Sequence, residues 1–398
     1  MNGARLDLGG VPLGEGGDLL LTRALARVEV GAPLVVVGGD ATLAVDLPAW
    51  CRGRGHRVVD QHADAATLVR GAVDEERWRG ATRAGQADPA APGAVVDHPP
   101  TSWGLAARGA LVEAGGAGLA RVWTDKDEVW SDDAARLYAQ AAAAQWDPAS
   151  AIPWAAPLTH DDEVEDAVVQ VMTYLIENET AALLVPTRFL AGLHPHFREV
   201  MQLLAIQAAD EARHIDVFTR RAMLRRSQLG TSTVGGQASL ASLFAEPDFA
   251  VASFLLAVLG EGSFLVLLAF LRDHGPDPVT RAVAQLAGQD EARHVAFGLS
   301  HLSRHLARDP DLAGRLAAAA ARRHGALAER GGLNPDVFTA LVVVAAGSWR
   351  PAAIRRGHAL VRALVDDMDR ARRGHLVRLG FGPEEAAAIS SLHTANFM

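Results

Sequence analysis

The pentapeptide Asp-Glu-Ala-Arg-His occurs twice in this chain, as Asp210-Glu211-Ala212-Arg213-His214 and as Asp290-Glu291-Ala292-Arg293-His294. On a helix, residues i and i+3 share a face, so Glu211 with His214 can offer an oxygen and a nitrogen to one cation. Glu291 with His294 can do the same. One Glu-x-x-His is common by chance; two identical copies in helical segments form a strong signal. The apolar rhythm tells which way they face. Val200, Leu204, Gln207, Glu211, His214 and Phe218 make one stripe, and Val283, Ala287, Glu291, His294 and Gly298 make another. Four ionisable groups aimed into a core are costly unless they bind cations.

A carboxylate-bridged two-metal site needs one carboxylate from each of two further helices. The apolar segment Val251–Leu271 supplies Glu261, on a face with Phe254, Val258, Leu265 and Leu268. A helix expected over Asp161–Val185, opened by the capping-box-like Thr159-His160-Asp161-Asp162, offers Glu177 and Glu179. The stripe Val164, Val168, Leu175 runs on to Glu179, whereas Glu177 sides with Gln170, Thr173 and Tyr174, so Glu179 is the better inward ligand. Each half of the pattern is then one Glu helix followed by one Glu-x-x-His helix. The competing reading is a buried Glu–His network without metal, against which six convergent ligand-type groups weigh. His194-Pro195-His196 precedes a helix in polar surroundings and reads as loop chemistry.

These residues resemble the ferritin-like di-iron carboxylate superfamily, which includes ribonucleotide reductase small subunits, bacterial multicomponent monooxygenases and arylamine N-oxygenases. The resemblance runs over roughly residues 130–310, with C-terminal helices beyond. It implies that Glu179, Glu211 and His214 bind one iron and Glu261, Glu291 and His294 the other, with Glu211 and Glu291 bridging. It also implies that Asp210 orients His294 and Asp290 orients His214. Arg213 and Arg293 would pair with these carboxylates, or else be ordinary solvated helix charges. No catalytic residue beyond the ligands is expected. The implied cofactor is two iron ions, or a manganese–iron pair, with O2 as co-substrate.

The activity implied is that of a non-haem di-iron oxygenase or oxidase acting on a small organic substrate. Two alternatives stand beside it: a ferroxidase or peroxide-scavenging ferritin-like protein, and a non-catalytic metal-containing binding protein. Arylamine N-oxygenases add a third metal-binding histidine, but Ala287 holds the inward position one turn before Glu291. No reductase module is visible, so electrons would come from a separate ferredoxin or flavoprotein reductase. A homodimer through outer helix faces is the usual arrangement in the superfamily. Gly260 and Gly262 flank Glu261, either to let that carboxylate change binding mode or substrate approach the iron, or to allow close helix packing. Ala287, Gly288 and Gly298 leave a small inner face that would suit a cavity. Tyr174 reads as a packed aromatic with a satisfied hydroxyl, with radical storage as the rarer role.

The elements that position these residues are long helical patterns from Ser102 onward, and the chain is expected to be mainly α: a ferritin-like four-helix bundle with extra helices. A small two-layer α/β domain precedes it, over residues 1–82, with helical spacing at Leu19–Val30 and Ala44–Arg54 and strand runs at Ala32–Gly39 and His56–Gln61. There, Asp46-Leu47-Pro48-Ala49-Trp50-Cys51-Arg52-Gly53-Arg54-Gly55-His56 resembles the second signature of the small sulfur-carrier (TusA-like) proteins. Val11-Pro12 stands where that family has its working Cys-Pro, which implies a degenerate carrier domain used for docking or regulation. Residues 83–101, rich in Ala, Pro and Gly, read as a linker, and 102–398 as the di-iron domain.

Composition narrows the rest. Hydrophobic residues make up 49% and charged residues 21%, as in a globular protein. Lys and Arg number 38 against 47 Asp and Glu, a net charge of −9 that argues against a nucleic-acid binder. The one cysteine, Cys51, excludes four-cysteine iron sites and cysteine-ligated clusters. Val251–Leu271 is apolar enough for a membrane span, but Glu261 at its centre would cost about 2.5–3.5 kcal/mol in lipid. No membrane partner and a cytoplasmic location are expected.

Overall fold

Alternation builds the first unit. Leu34 and Val36 on one strand and Ala66 and Leu68 on another turn to one side and are buried, while their neighbours are partly exposed. The computed structural model describes residues 4–328 and 335–392. Its first unit has β1 (Ala4–Asp7), α1 (Gly17–Leu25), β2 (Pro33–Val37), α2 (Leu43–Gly53), β3 (Arg57–Gln61) and β4 (Ala65–Val69). The sheet order is β1-β2-β4-β3, with β1 parallel to β2 and the other pairs antiparallel. Register places Leu34 opposite Leu68 and Val36 opposite Ala66. Leu21, Leu25, Leu47 and Cys51 from the helices close the core over that face.

The expected linker is not one. The chain divides into Met1–Ala94 with Ser102–Gly118, and Val95–Thr101 with Leu119–Met398. Thr82–Arg83 pairs antiparallel with Leu111–Val112, and Trp103 Nε1 donates to Thr82 Oγ1 at 2.8 Å, which keeps residues 102–118 with the first unit. Residues 95–101 are held by the second unit. His196 Nε2 accepts from the Val96 N–H at 2.8 Å, and His194 Nε2 meets the Pro100 carbonyl at 3.2 Å. Composition suggested a solvated tether, but specific partners satisfy this backbone. His194 and His196 lie in the loop before the next long helix, as expected, but both are buried, and the run anchors a segment.

The second unit is helical. Those that matter here are α3 (Ala134–Ala143), α4 (Asp162–Leu190), α5 (Arg198–Ala222), α6 (Phe249–His274), α7 (Pro278–Leu306), α8 (Pro335–Ala346) and α9 (Pro351–Arg378). Helices α4 to α7 form the four-helix bundle; α8 packs on α4, and α9 on α6. The observed class is the expected one: mainly α, a four-helix bundle with extra helices after a small α/β unit. The capping box before α4 does not close. Asp161 takes the N-cap without a side-chain hydrogen bond, and His160 Nε2 instead meets Glu165 at 2.6 Å. At the same end Arg221 is fully buried, bonding both oxygens of Glu165 at 2.8 and 2.9 Å and Asp277 at 2.7 Å. Asp277 also caps α7 through the Thr280 N–H at 2.8 Å, with Pro278 at the first helical position. α6 is the one described helix long and apolar enough to cross a membrane, and most of it is buried inside the bundle.

Candidate metal centre

Each bundle helix sends one or two ligand-type side chains to the same point. Glu179 comes from α4, Glu211 and His214 from α5, Glu261 from α6, and Glu291 and His294 from α7, all buried. Two groups form, Glu179–Glu211–His214–Glu291 and Glu211–Glu261–Glu291–His294, with ligand atoms in each within 4.8 Å of one another. Glu211 and Glu291 belong to both. His214 Nδ1 lies 3.5 Å from Glu179, 3.3 Å from Glu211 and 3.3 Å from Glu291. His294 Nδ1 lies 3.1 Å from Glu211 and 3.4 Å from Glu291. Glu177 stays outside, accepting from Gln237 at 3.2 Å.

The outer nitrogens are held crosswise. His214 Nε2 meets Asp290 at 3.1 Å and His294 Nε2 meets Asp210 at 3.4 Å. Proton on Nε2 and lone pair on Nδ1 is the tautomer that this pattern favours, with Nδ1 turned to the cluster. Arg213 bonds both Asp210 and Asp290, and Arg293 pairs with Asp290, so neither is a free helix charge. Arg213 also sits over the Trp146 ring at 4.6 Å.

Three supporting side chains escaped identification as partners from sequence. Gln145 donates to Asp210 at 2.9 Å and Trp146 Nε1 to Asp290 at 2.8 Å, both from the turn after α3. Gln207 donates to Glu261 Oε1 at 3.3 Å. Gln207 was visible on the α5 stripe; nothing local marks Gln145 or Trp146, which reach the site only through topology.

Electrostatics show what the cluster lacks. Burial, with the charges of Glu211 and Glu291, holds Glu179 well above the usual carboxylate range, and burial with Glu291 does the same to Glu261. Burial alone would raise Glu211 too, but His294 and His214 hold it well below. Burial would lower His214, and the neighbouring Glu179 and Asp290 instead raise it well above its ordinary value. One oxygen of Glu179 and one of Glu261, both oxygens of Glu211 and Glu291, and Nδ1 of His214 and His294 are buried without a hydrogen-bond partner. Ligand-type atoms without a hydrogen-bond partner, turned to one point and holding protons that a cation would displace, fit divalent cations, and a carboxylate–imidazole set suits iron or manganese.

The small residues serve packing. A Cβ on Gly298 would come within 2.5 Å of Ala257, and one on Gly262 within 2.7 Å of the His375 ring. Gly288 makes ordinary contact with Leu268, at 3.6 Å from a Cβ. The cavity expected on that α7 face is displaced. An apolar cavity of about 20 Å³ lies between Phe189, Leu204, Gln207, Phe249, Leu256 and Phe297, and none of the three small residues lines it. That is room for about one water. Tyr174 is buried, and burial pushes its hydroxyl up.

No protein-family model and no curated protein matches this chain. Among solved structures it is similar to an R2-like ligand-binding oxidase variant aerobically reconstituted with a Mn/Fe cofactor, at 17% identity over 64% of this chain and 94% of that chain, TM-score 0.44. An anaerobically reconstituted variant gives 18% identity over 64% and 94%, TM-score 0.45. The R2-like ligand-binding oxidase from Sulfolobus acidocaldarius gives 18% identity over 63% and 92%, TM-score 0.41.

Proposed function

We propose that this chain is a non-haem di-iron oxidase or oxygenase that uses O2 to oxidise a small organic substrate. The observation that carries the reading is the sharing of Glu211 and Glu291 by two otherwise separate ligand groups. Glu179, Glu211 and His214 would hold one ion, and Glu261, Glu291 and His294 the other, as iron or a manganese–iron pair. Bound there, two such ions supply redox chemistry toward O2.

The chain's own groups prepare the site. Asp290 and Asp210 hold the Nε2 protons of His214 and His294, which leaves both Nδ1 lone pairs free for ligation. Gln207 engages one oxygen of Glu261 and leaves the other bare. The buried apolar walls from Leu204, Phe218, Val258 and Ala287 keep bulk water away. Electrons would come from a separate ferredoxin or flavoprotein reductase, and a homodimer is the expected assembly. We read the first unit as a degenerate sulfur-carrier fold serving as a docking module. Cys51 is buried beneath the sheet and burial pushes its thiol up to about 11, which suits packing and not thiol chemistry.

Anaerobic loading with Fe(II), Mössbauer spectroscopy and then O2 exposure tests the reading. Two irons per chain, both oxidised by O2, with loss of binding in Glu261→Ala and His294→Ala, are expected. Fewer than two metals per chain would sink it. Continuous iron oxidation with no organic oxidation under any donor favours the ferroxidase, and metal inert to O2 favours a binding protein.

A further inference from the structure

Glu261 is the only one of the six convergent residues not on regular α-helix: Phe254–Glu261 is wound as a π-helix within α6. A π turn spends each N–H on a carbonyl five residues back and recurs at functional sites. Here the Gly262 N–H reaches Ala257. In an α-helix that N–H would have closed on Val258, so the Val258 carbonyl loses its ordinary partner.

Helix α9 meets the segment at this point. The His375 ring stands against the turn beside the Val258 carbonyl, which favours a proton on the ring. The ring lies so close that a Cβ on residue 262 would stand 2.7 Å from Nδ1 and 2.9 Å from Cε1, so only glycine admits it. One turn earlier on α9, Arg372 donates to Ser263 Oγ at 3.1 Å, and Ser263 donates to the Leu259 carbonyl at 2.7 Å. The Leu259 carbonyl is thus tied through Ser263 to Arg372, and the His375 ring packs beside the Val258 carbonyl, both from one neighbouring helix. Arg372 is itself fixed by Ser390, at 3.1 Å. The α4 half shows nothing comparable: Glu179 sits within a continuous α-helix.

We propose that His375, admitted by Gly262, is a positioning residue that latches the π turn and so sets where the Glu261 carboxylate stands. The latch acts on one ion only, the one held by Glu261, Glu291 and His294, and this assignment rests on the two-metal reading above. It makes the pair of sites unequal. Loss of the latch lets the π turn relax, rotates Glu261 from its place and weakens that ion, while the ion at Glu179, Glu211 and His214 keeps its ligands.

Two measurements separate the latch from the metal reading. Hydrogen exchange on the metal-free protein reads the amides of residues 258–263; anaerobic Mn(II) titration reads the number and affinity of ions. For His375→Ala, faster exchange confined to that segment and about 10–100-fold weaker binding of one ion are expected, as for other groups that support a ligand from behind. His375→Gln keeps an N–H donor and should recover most of both effects. Gly262→Ala, which expels the ring without touching α9, should reproduce His375→Ala and serves if that variant folds poorly. Exchange unchanged in both variants overturns the latch, as does equal weakening of both ions. Faster exchange in a protein whose wild type takes up fewer than two ions upholds the latch and overturns the metal reading alone.

Discussion

The bundle buries two charged clusters, and they are built on opposite plans. At one end Arg221 answers Glu165 and Asp277, with Thr280 and His160 filling the remaining positions. Each charged group there has a partner of the opposite sign, and His160 Nδ1 alone is left without a hydrogen bond. At the centre, four glutamates and two histidines turn ligand atoms to one point, most of them without a hydrogen-bond partner. A closed cluster ties helices together; an open one is costly to the fold alone and gains its return only when cations enter. Burial of charge therefore does not by itself mark a site. An excess of acceptors over donors does.

Four experiments sharpen or break that contrast. The largest effect belongs to the closed cluster. Arg221→Ala leaves Glu165 and Asp277 buried and unpaired, and should cost about 3–5 kcal/mol in urea unfolding, for metal-free and loaded protein alike. A loss below about 1 kcal/mol would mean that the cluster is not the tie described here. The open cluster should respond to metal instead: Mn(II) at about 100 times its Kd should add about 2.7 kcal/mol to unfolding free energy, reversed by chelator. No shift in Tm would erase the difference between the clusters.

Smaller effects come from the groups behind the ligands. Asp290→Asn and Asp210→Asn should each weaken metal binding about 10–100-fold, the first through His214 and the second through His294. Resolved by titration, the two variants should affect different ions. The smallest effect is on pH dependence. Burial would raise the Glu165 carboxyl, but Arg221 and His160 outweigh it and hold it below its ordinary range; Arg221 and Thr280 do so for Asp277. Stability from these groups is complete above the ordinary carboxylate range and falls away as pH drops through their lowered values. In a variant that replaces Arg221 with methionine, the acid limb of the stability–pH curve should flatten.

The converging residues were legible because a helix repeats. Glu-x-x-His at two places, and Glu179 and Glu261 on apolar stripes, carry their direction in local spacing. The choice of Glu179 over Glu177 followed from the same rhythm. The π turn was not legible: Phe254–Gly260 is apolar throughout, so no polar marker shows the change of pitch. Gln145 and Trp146 depend on where the turn after α3 lies against α5 and α7, a long-range fact with no local signal. Strands β1 and β4 escaped because both are short, one half charged and the other rich in alanine. The supposed linker misled through composition, since its partners, His194 and His196, lie far along the chain.

The central claim is that two ions share Glu211 and Glu291. X-ray absorption spectroscopy of the anaerobically loaded protein tests it most directly, because shared carboxylates hold their ions close. We predict two ions per chain with a metal–metal vector of about 3.5–4 Å, lost in Glu291→Ala. One ion per chain, or two with no metal–metal vector within that range, would contradict the account.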